Sequence, residues 1–188
     1  GCGMVFGAIE SGMKEVSVQL SFQEIKSDSE GSSQDGMYNA MGQLVLNYFM
    51  TPHWSFGMTT RLNVFASKNE EGELDPSGTA FVMARTDLYL GAADWSVIPY
   101  LGGHGGYSVY AFTGWEGDAE WEGVVAYGGQ GGLKIFAGER VSWNIEGDFT
   151  IFETDQSSMD DEFASYGVEQ EEEKLNITSI LIGFSYYF

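Results

Sequence analysis

Thr178-Ser179-Ile180-Leu181-Ile182-Gly183-Phe184-Ser185-Tyr186-Tyr187-Phe188 reads on a two-residue period. Thr178, Ile180, Ile182, Phe184, Tyr186 and Phe188 share one parity; Ser179, Gly183, Ser185 and Tyr187 hold the other, and Leu181 breaks the pattern mildly. Successive side chains of a strand point to opposite faces. The stretch is therefore a strand with one greasy face and one small or polar face. Nowhere in the chain does a 3.6-residue apolar period persist.

Working outward, the same test finds seven more strands. Val16 to Phe22 alternates with Ser17 to Gln23, and Tyr38, Ala40, Leu44, Leu46 and Tyr48 alternate with Asn39, Gln43 and Asn47. Phe56 to Val64 alternates with Ser55, Thr59, Arg61 and Asn63, and Ala80 to Leu90 with Phe81, Arg85, Asp87 and Tyr89. Leu101, Tyr107, Val109 and Ala111 oppose Tyr100, His104, Ser108 and Tyr110. Val125, Tyr127, Leu133 and Ile135 oppose Gln130 and Lys134. Finally, Val141, Trp143, Ile145, Phe149 and Ile151 oppose Ser142, Asn144, Glu146, Asp148 and Thr150. Each strand is read at about ten residues or slightly more, the length a tilted strand needs to cross a bilayer.

The connections alternate in length. Met50–His53, Ala92–Trp95 and Ala137–Arg140 are tight turns, whereas Ser27–Gly36, Lys68–Gly78, Gly114–Gly123 and Glu153–Lys174 are long polar loops. Short periplasmic turns opposite long external loops are the asymmetry of an outer-membrane barrel. Sidedness separates this from a soluble barrel, whose inward face is apolar. Arg61, Arg85, Lys134, Asp87, Glu146 and Asp148 all lie on one strand face, and the opposite face carries almost no charge. Each Arg or Lys turned to lipid would cost about 2–4 kcal/mol at the midplane, so the charged face is the interior. Arg61 and Arg85–Asp87 fall on adjacent strands, as do Lys134 and Glu146–Asp148. An eight-stranded barrel is filled by its own side chains, so paired charges there are expected to plug the lumen.

Composition agrees. The 188 residues suffice for one ordinary domain or small barrel, with 1–13 read as an N-terminal periplasmic segment and 14–188 as one transmembrane barrel. The 28 aromatic residues exclude intrinsic disorder, and the single cysteine, Cys2, excludes an internal disulfide framework or a CxxC site. A net charge of −20 argues against nucleic acid as partner. No run of 18 apolar residues exists to form a spanning helix. The four long loops hold 20 of the 28 acidic residues. Aromatics gather at strand ends: Tyr48, Phe49, Trp54, Trp95, Tyr100, Trp143, Tyr186 and Phe188 toward the turns. Tyr38, Phe112, Trp115, Trp121 and Phe152 lie toward the loops. Such belts suit the two water–lipid interfaces.

Three stretches carry a resemblance. Leu46–Gly57 has an aromatic strand end, a tight turn and a return to Gly; Val97–Gly106 has Pro-Tyr followed by a Gly-rich strand; Gly183–Phe188 ends in Phe. Together they resemble the outer-membrane protein β-barrel domain family, the small eight-stranded OmpA/OmpX-like barrels. The resemblance implies an all-β, antiparallel up-and-down transmembrane barrel in the outer membrane of a Gram-negative bacterium. It also implies that Phe184, Tyr186 and Phe188 form the C-terminal signal read by the barrel-assembly machinery. Lipid and lipopolysaccharide are then its surroundings, an envelope protein is a possible partner through the loops, and no cofactor is expected. The nine-acid final loop is longer and more acidic than is typical of that family.

Several residues invite sharper readings. His53-Trp54-Ser55 has the His-x-Ser spacing of the lipid A deacylase type of barrel, but it sits at a periplasmic turn beside Pro52, where turn residues are the simpler reading. His104 reads as a buried proton site or, more simply, a hydrogen-bonded lumen residue. Gly102–Gly106 and Gly128–Gly132 match neither phosphate-loop pattern; lumen glycines there give curvature and leave room for larger neighbours. Asp160, Asp161 and Glu162 could offer hard oxygens to a divalent cation, yet no EF-hand register is present. Cys2 after Gly1 could mark a lipoprotein processing site; an ordinary residue is the alternative. The expected role is structural or surface-interacting, without catalysis, with a lipid-modifying enzyme or a subunit of a larger envelope complex as the other readings.

Overall fold

The computed structural model describes residues 9–25, 37–68, 74–92, 95–113, 124–154 and 174–188. Its strands are β1 (Lys14–Ile25), β2 (Met37–Thr51), β3 (Trp54–Lys68), β4 (Leu74–Tyr89), β5 (Val97–Thr113), β6 (Val124–Phe136), β7 (Val141–Thr154) and β8 (Lys174–Tyr187). Each pairs antiparallel with its chain neighbours, and β1 pairs back onto β8 with Glu15 opposite Tyr187 and Leu20 opposite Ile182. Closing the sheet pairs the backbone groups that an open edge would leave facing lipid.

The strands run 12 to 17 residues, longer than the alternation suggests. β3 and β4 stay paired out to Lys68 opposite Leu74, so Asp75–Gly78, read above as loop, belong to a strand. Glu153 and Lys174 likewise pair with each other. Backbone hydrogen bonds hold a hairpin together beyond the apolar band, where side-chain alternation no longer reports it. A second difference lies in β5. Ala80 stands opposite Tyr110 but Phe81 opposite Ser108, so Val109 is bulged out and Tyr110 leaves the register of His104 and Ser108.

The barrel is inside-out relative to a soluble protein. Leu20, Phe22, Leu44, Leu62, Ile145, Ile180, Ile182 and Phe184 are exposed on the outside, while Arg61, Arg85, Asp87, Lys134, Glu146 and Asp148 are buried on the inside. Trp54, Trp95, Trp143, Tyr186 and Phe188 ring the outer surface at the turn end. Trp54 Nε1 donates to Thr86 Oγ1 at 2.8 Å, fixing that indole at the interface. Three aromatics assigned above to the belts turn inward instead: Phe49, Tyr100 and Phe152 are buried in the lumen. Strand ends collect aromatics on both faces, and parity, not position along the strand, decides which face each takes. Cys2, Trp115, Trp121, Asp160, Asp161 and Glu162 lie outside the described residues.

The chain before β1 is tied to the turn end. Gly12, at φ +89°, donates its N–H to Phe49 O at 2.7 Å, and Phe49 N–H donates to Met13 O at 2.9 Å. This lays Ile9, 1% exposed, against Phe49, Tyr89, Ile98, Tyr100, Phe136 and Tyr187.

Candidate functional site

The lumen concentrates the buried polar chemistry of the described residues, and every part of it follows from strand parity. Inward positions of β3, β4, β6 and β7 deliver Arg61, Arg85 with Asp87, Lys134, and Glu146 with Asp148. Inward glycines make space for them. A Cβ on Gly132 would lie 2.3 Å from Ile145 O and 2.9 Å from Tyr100 Oη; one on Gly102 would lie 2.5 Å from Asp87 Oδ1. Only a missing side chain permits these approaches.

Three polar tiers rise from an aromatic floor. In the lowest, Lys134 Nζ pairs with Glu15, which also accepts from Ser185 Oγ. The same ammonium lies 5.3 Å from the ring centre of Tyr100 and 5.9 Å from those of Tyr89 and Tyr187. Three ring faces and one carboxylate thus replace its hydration.

In the middle tier Arg85 grips Glu146 with two bonds, 3.1 Å from Nη1 and 2.5 Å from Nη2, while its Nε donates to Asp87 at 2.9 Å. Tyr100 Oη and Gln43 Nε2 also donate to Glu146, at 2.6 and 2.9 Å. The upper tier is centred on Arg61. Its Nη1 and Nη2 reach Asp148 at 3.0 and 2.8 Å, and Nη1 donates to Thr150 Oγ1 at 2.7 Å. His104 bridges the tiers, with Nδ1 at 2.8 Å from Gln130 Oε1 and Nε2 at 2.9 Å from Thr150 Oγ1. Gln130 in turn donates to Asp87 at 2.7 Å. Above this, Phe81, Met83, Ala126 and Phe152 form an apolar cluster, with the Phe81 and Phe152 rings 5.1 Å apart.

The six charged residues read from the sequence come together, but not in the pairs that strand adjacency suggests. Arg61 bridges β3 to β7, Arg85 bridges β4 to β7, and Lys134 reaches from β6 to Glu15 on β1. Glu15 was missed, although its parity with Ser17 and Gln19 carried the signal. With it, four buried carboxylates face three permanent cations. Thr150 Oγ1 donates to Asp148 at 2.6 Å, so its hydroxyl is committed and not poised as a nucleophile. His53 and Ser55 part company. His53 is exposed on its turn, where its carbonyl accepts from Tyr89 N–H at 2.8 Å, while Ser55 is buried in the wall. Phe184, Tyr186 and Phe188 face outward, the last two stacked at 6.3 Å.

The closed eight-stranded antiparallel barrel is shared with solved structures. Neisserial surface protein A (NspA) aligns over 94% of this chain and 96% of its own, with 11% identity and a TM-score of 0.55. This fold is that of the small eight-stranded outer-membrane barrels. OprG, an outer membrane protein from Pseudomonas aeruginosa, aligns over 98% of this chain and 99% of its own at 13% identity, TM-score 0.50. Ail, the attachment invasion locus protein of Yersinia pestis, covers 95% and 99% at 15% identity with a TM-score of 0.50. No protein-family model matches this outer-membrane-type barrel, and no curated protein matches it by sequence. At such identities the likeness is one of fold.

Proposed function

We propose that the chain is an integral protein of a Gram-negative outer membrane whose lumen is plugged by its own charge network, and whose acidic loops serve a structural or surface-interaction role. The observation that carries this reading is Arg85, which ties β4 to β7 through Glu146 across the middle of the barrel. With Arg61–Asp148 above it and Lys134–Glu15 below, ion pairs occupy three successive levels. Solutes crossing the lumen would have to break several buried pairs at once, each costly to leave uncompensated. The outer face sits among lipid and lipopolysaccharide, and Phe184, Tyr186 and Phe188 serve as the signal to the assembly machinery. The 18 acids of the connections after β1, β3, β5 and β7 give that end a negative charge that would repel nucleic acid and anionic surfaces and suit a basic patch on an envelope partner.

Planar-bilayer recording tests the plug. The purified barrel should insert without steady conductance, and Arg85→Ala combined with Glu146→Ala should produce measurable openings. Steady ohmic conductance from the unaltered protein would overturn it.

A further inference from the structure

Three of the cations described in strands point into the lumen; Lys14, at the foot of β1, is exposed on the outside. Its ammonium lies 6.0 Å from the centre of the Phe188 ring, a cation–π distance that holds it at the turn-end interface. It has no carboxylate partner among the described residues. Beside it opens an apolar groove of about 550 Å³ across β1 to β4. Tyr48 and Phe56 wall the groove at the level of Lys14, and Leu46 and Met58 bound it one step further into the band. Its floor stays open because Ala84, opposite Met58, has only a methyl group.

We propose that this groove holds one anionic glycerophospholipid of the periplasmic leaflet, its phosphate on Lys14 and one acyl chain lying along Leu46, Met58 and Ala84. Charge complementarity selects the occupant. The chain carries −20 overall, and 18 of its 28 acids fall in the four connections that follow β1, β3, β5 and β7, at the opposite strand ends from Lys14. A negative headgroup therefore finds an attractive site on the outer surface where a lone ammonium adjoins apolar volume. A cation near a membrane surface contributes about 1 kcal/mol toward an anionic lipid, roughly a fivefold preference. The inference rests on the outer face being bilayer-facing.

Native mass spectrometry of the delipidated barrel in detergent, titrated with phosphatidylglycerol or phosphatidylcholine of identical acyl chains, tests it. The unaltered protein should retain a single phosphatidylglycerol about fivefold more tightly than phosphatidylcholine. Lys14→Gln should abolish the preference, whereas Lys14→Arg should keep it. Ala84→Leu, which fills the floor, should weaken retention of both lipids. Heat-modifiable gel migration verifies that each variant is folded. Equal retention of the two lipids by the unaltered protein, or an undiminished preference in folded Lys14→Gln, overturns the proposal. A barrel that stays monodisperse without any amphiphile overturns instead the bilayer-facing reading beneath it.

Discussion

The Arg85 guanidinium and the Glu146 carboxylate meet in two hydrogen bonds, 2.5 and 3.1 Å long, between strands that share no edge. Both groups are fully enclosed, so water cannot replace either partner. Removing one member of such a pair leaves a buried charge uncompensated, at a cost of about 3–5 kcal/mol. Arg85→Ala should therefore lower thermal stability in detergent sharply. Converting Glu146→Gln in the same chain should restore a large part of the loss. Melting followed by heat-modifiable migration reads both, and an unchanged melting temperature in Arg85→Ala would remove the network from any account of stability.

The lowest tier makes a related case. Lys134 and Glu15 join β6 to β1, and Ser185 brings in β8. A double-mutant cycle on Lys134→Met and Glu15→Gln should give a coupling of at least about 1 kcal/mol, with each single variant worse than the pair. Additive losses in urea titrations would show that the two groups do not act together.

Two neighbouring glycines should respond unequally to the same substitution. A Cβ on Gly132 would meet Ile145 O at 2.3 Å, whereas on Gly131 the nearest atom is Tyr100 O at 3.5 Å. Gly132→Ala is expected to lose about 1–3 kcal/mol through forced strand displacement, and Gly131→Ala to sit near neutrality. Equal urea midpoints for the two variants would contradict the inward crowding.

Ile9 closes the aromatic floor at 1% exposure. Ile9→Ala should cost about 2–5 kcal/mol, the range for emptying a buried aliphatic site. Ser11→Ala, which removes the exposed 2.9 Å bond to Met50 O, should change the melting temperature little. A silent Ile9→Ala would show that this segment does not pack in solution as it does here.

Leu44 is exposed on the outer face of β2, near the middle of the band. Leu44→Arg should destabilise the barrel in lipid vesicles by about 2–4 kcal/mol. The penalty should shrink in a detergent whose headgroups reach that depth. No difference between vesicle and detergent would argue that Leu44 does not face the hydrocarbon.

Much of the architecture was written locally. Alternation over Thr178–Phe188 and its seven counterparts gave strand number, sidedness and the inward set of Arg61, Arg85, Asp87, Lys134, Glu146 and Asp148, because a strand's period of two is a property of the backbone itself. Three features escaped for physical reasons. The bulge at Val109 shifts register without altering the local pattern. Phe49, Tyr100 and Phe152 sit at strand ends where aromatics occur on both faces. Glu15 stands next to Lys14 at the mouth of β1, where two adjacent charges look like a solvated terminus.

The sequence by itself determined that eight strands would turn their charges inward and their oily side chains outward, since burying the reverse faces would be prohibitive in a bilayer. Only the tertiary structure decided that Arg61 and Arg85 reach β7, that Lys134 reaches Glu15, and that Ile9 joins the floor. Those contacts cross the lumen, and which residues meet there depends on the stagger of the strands on closing, a quantity no single strand carries.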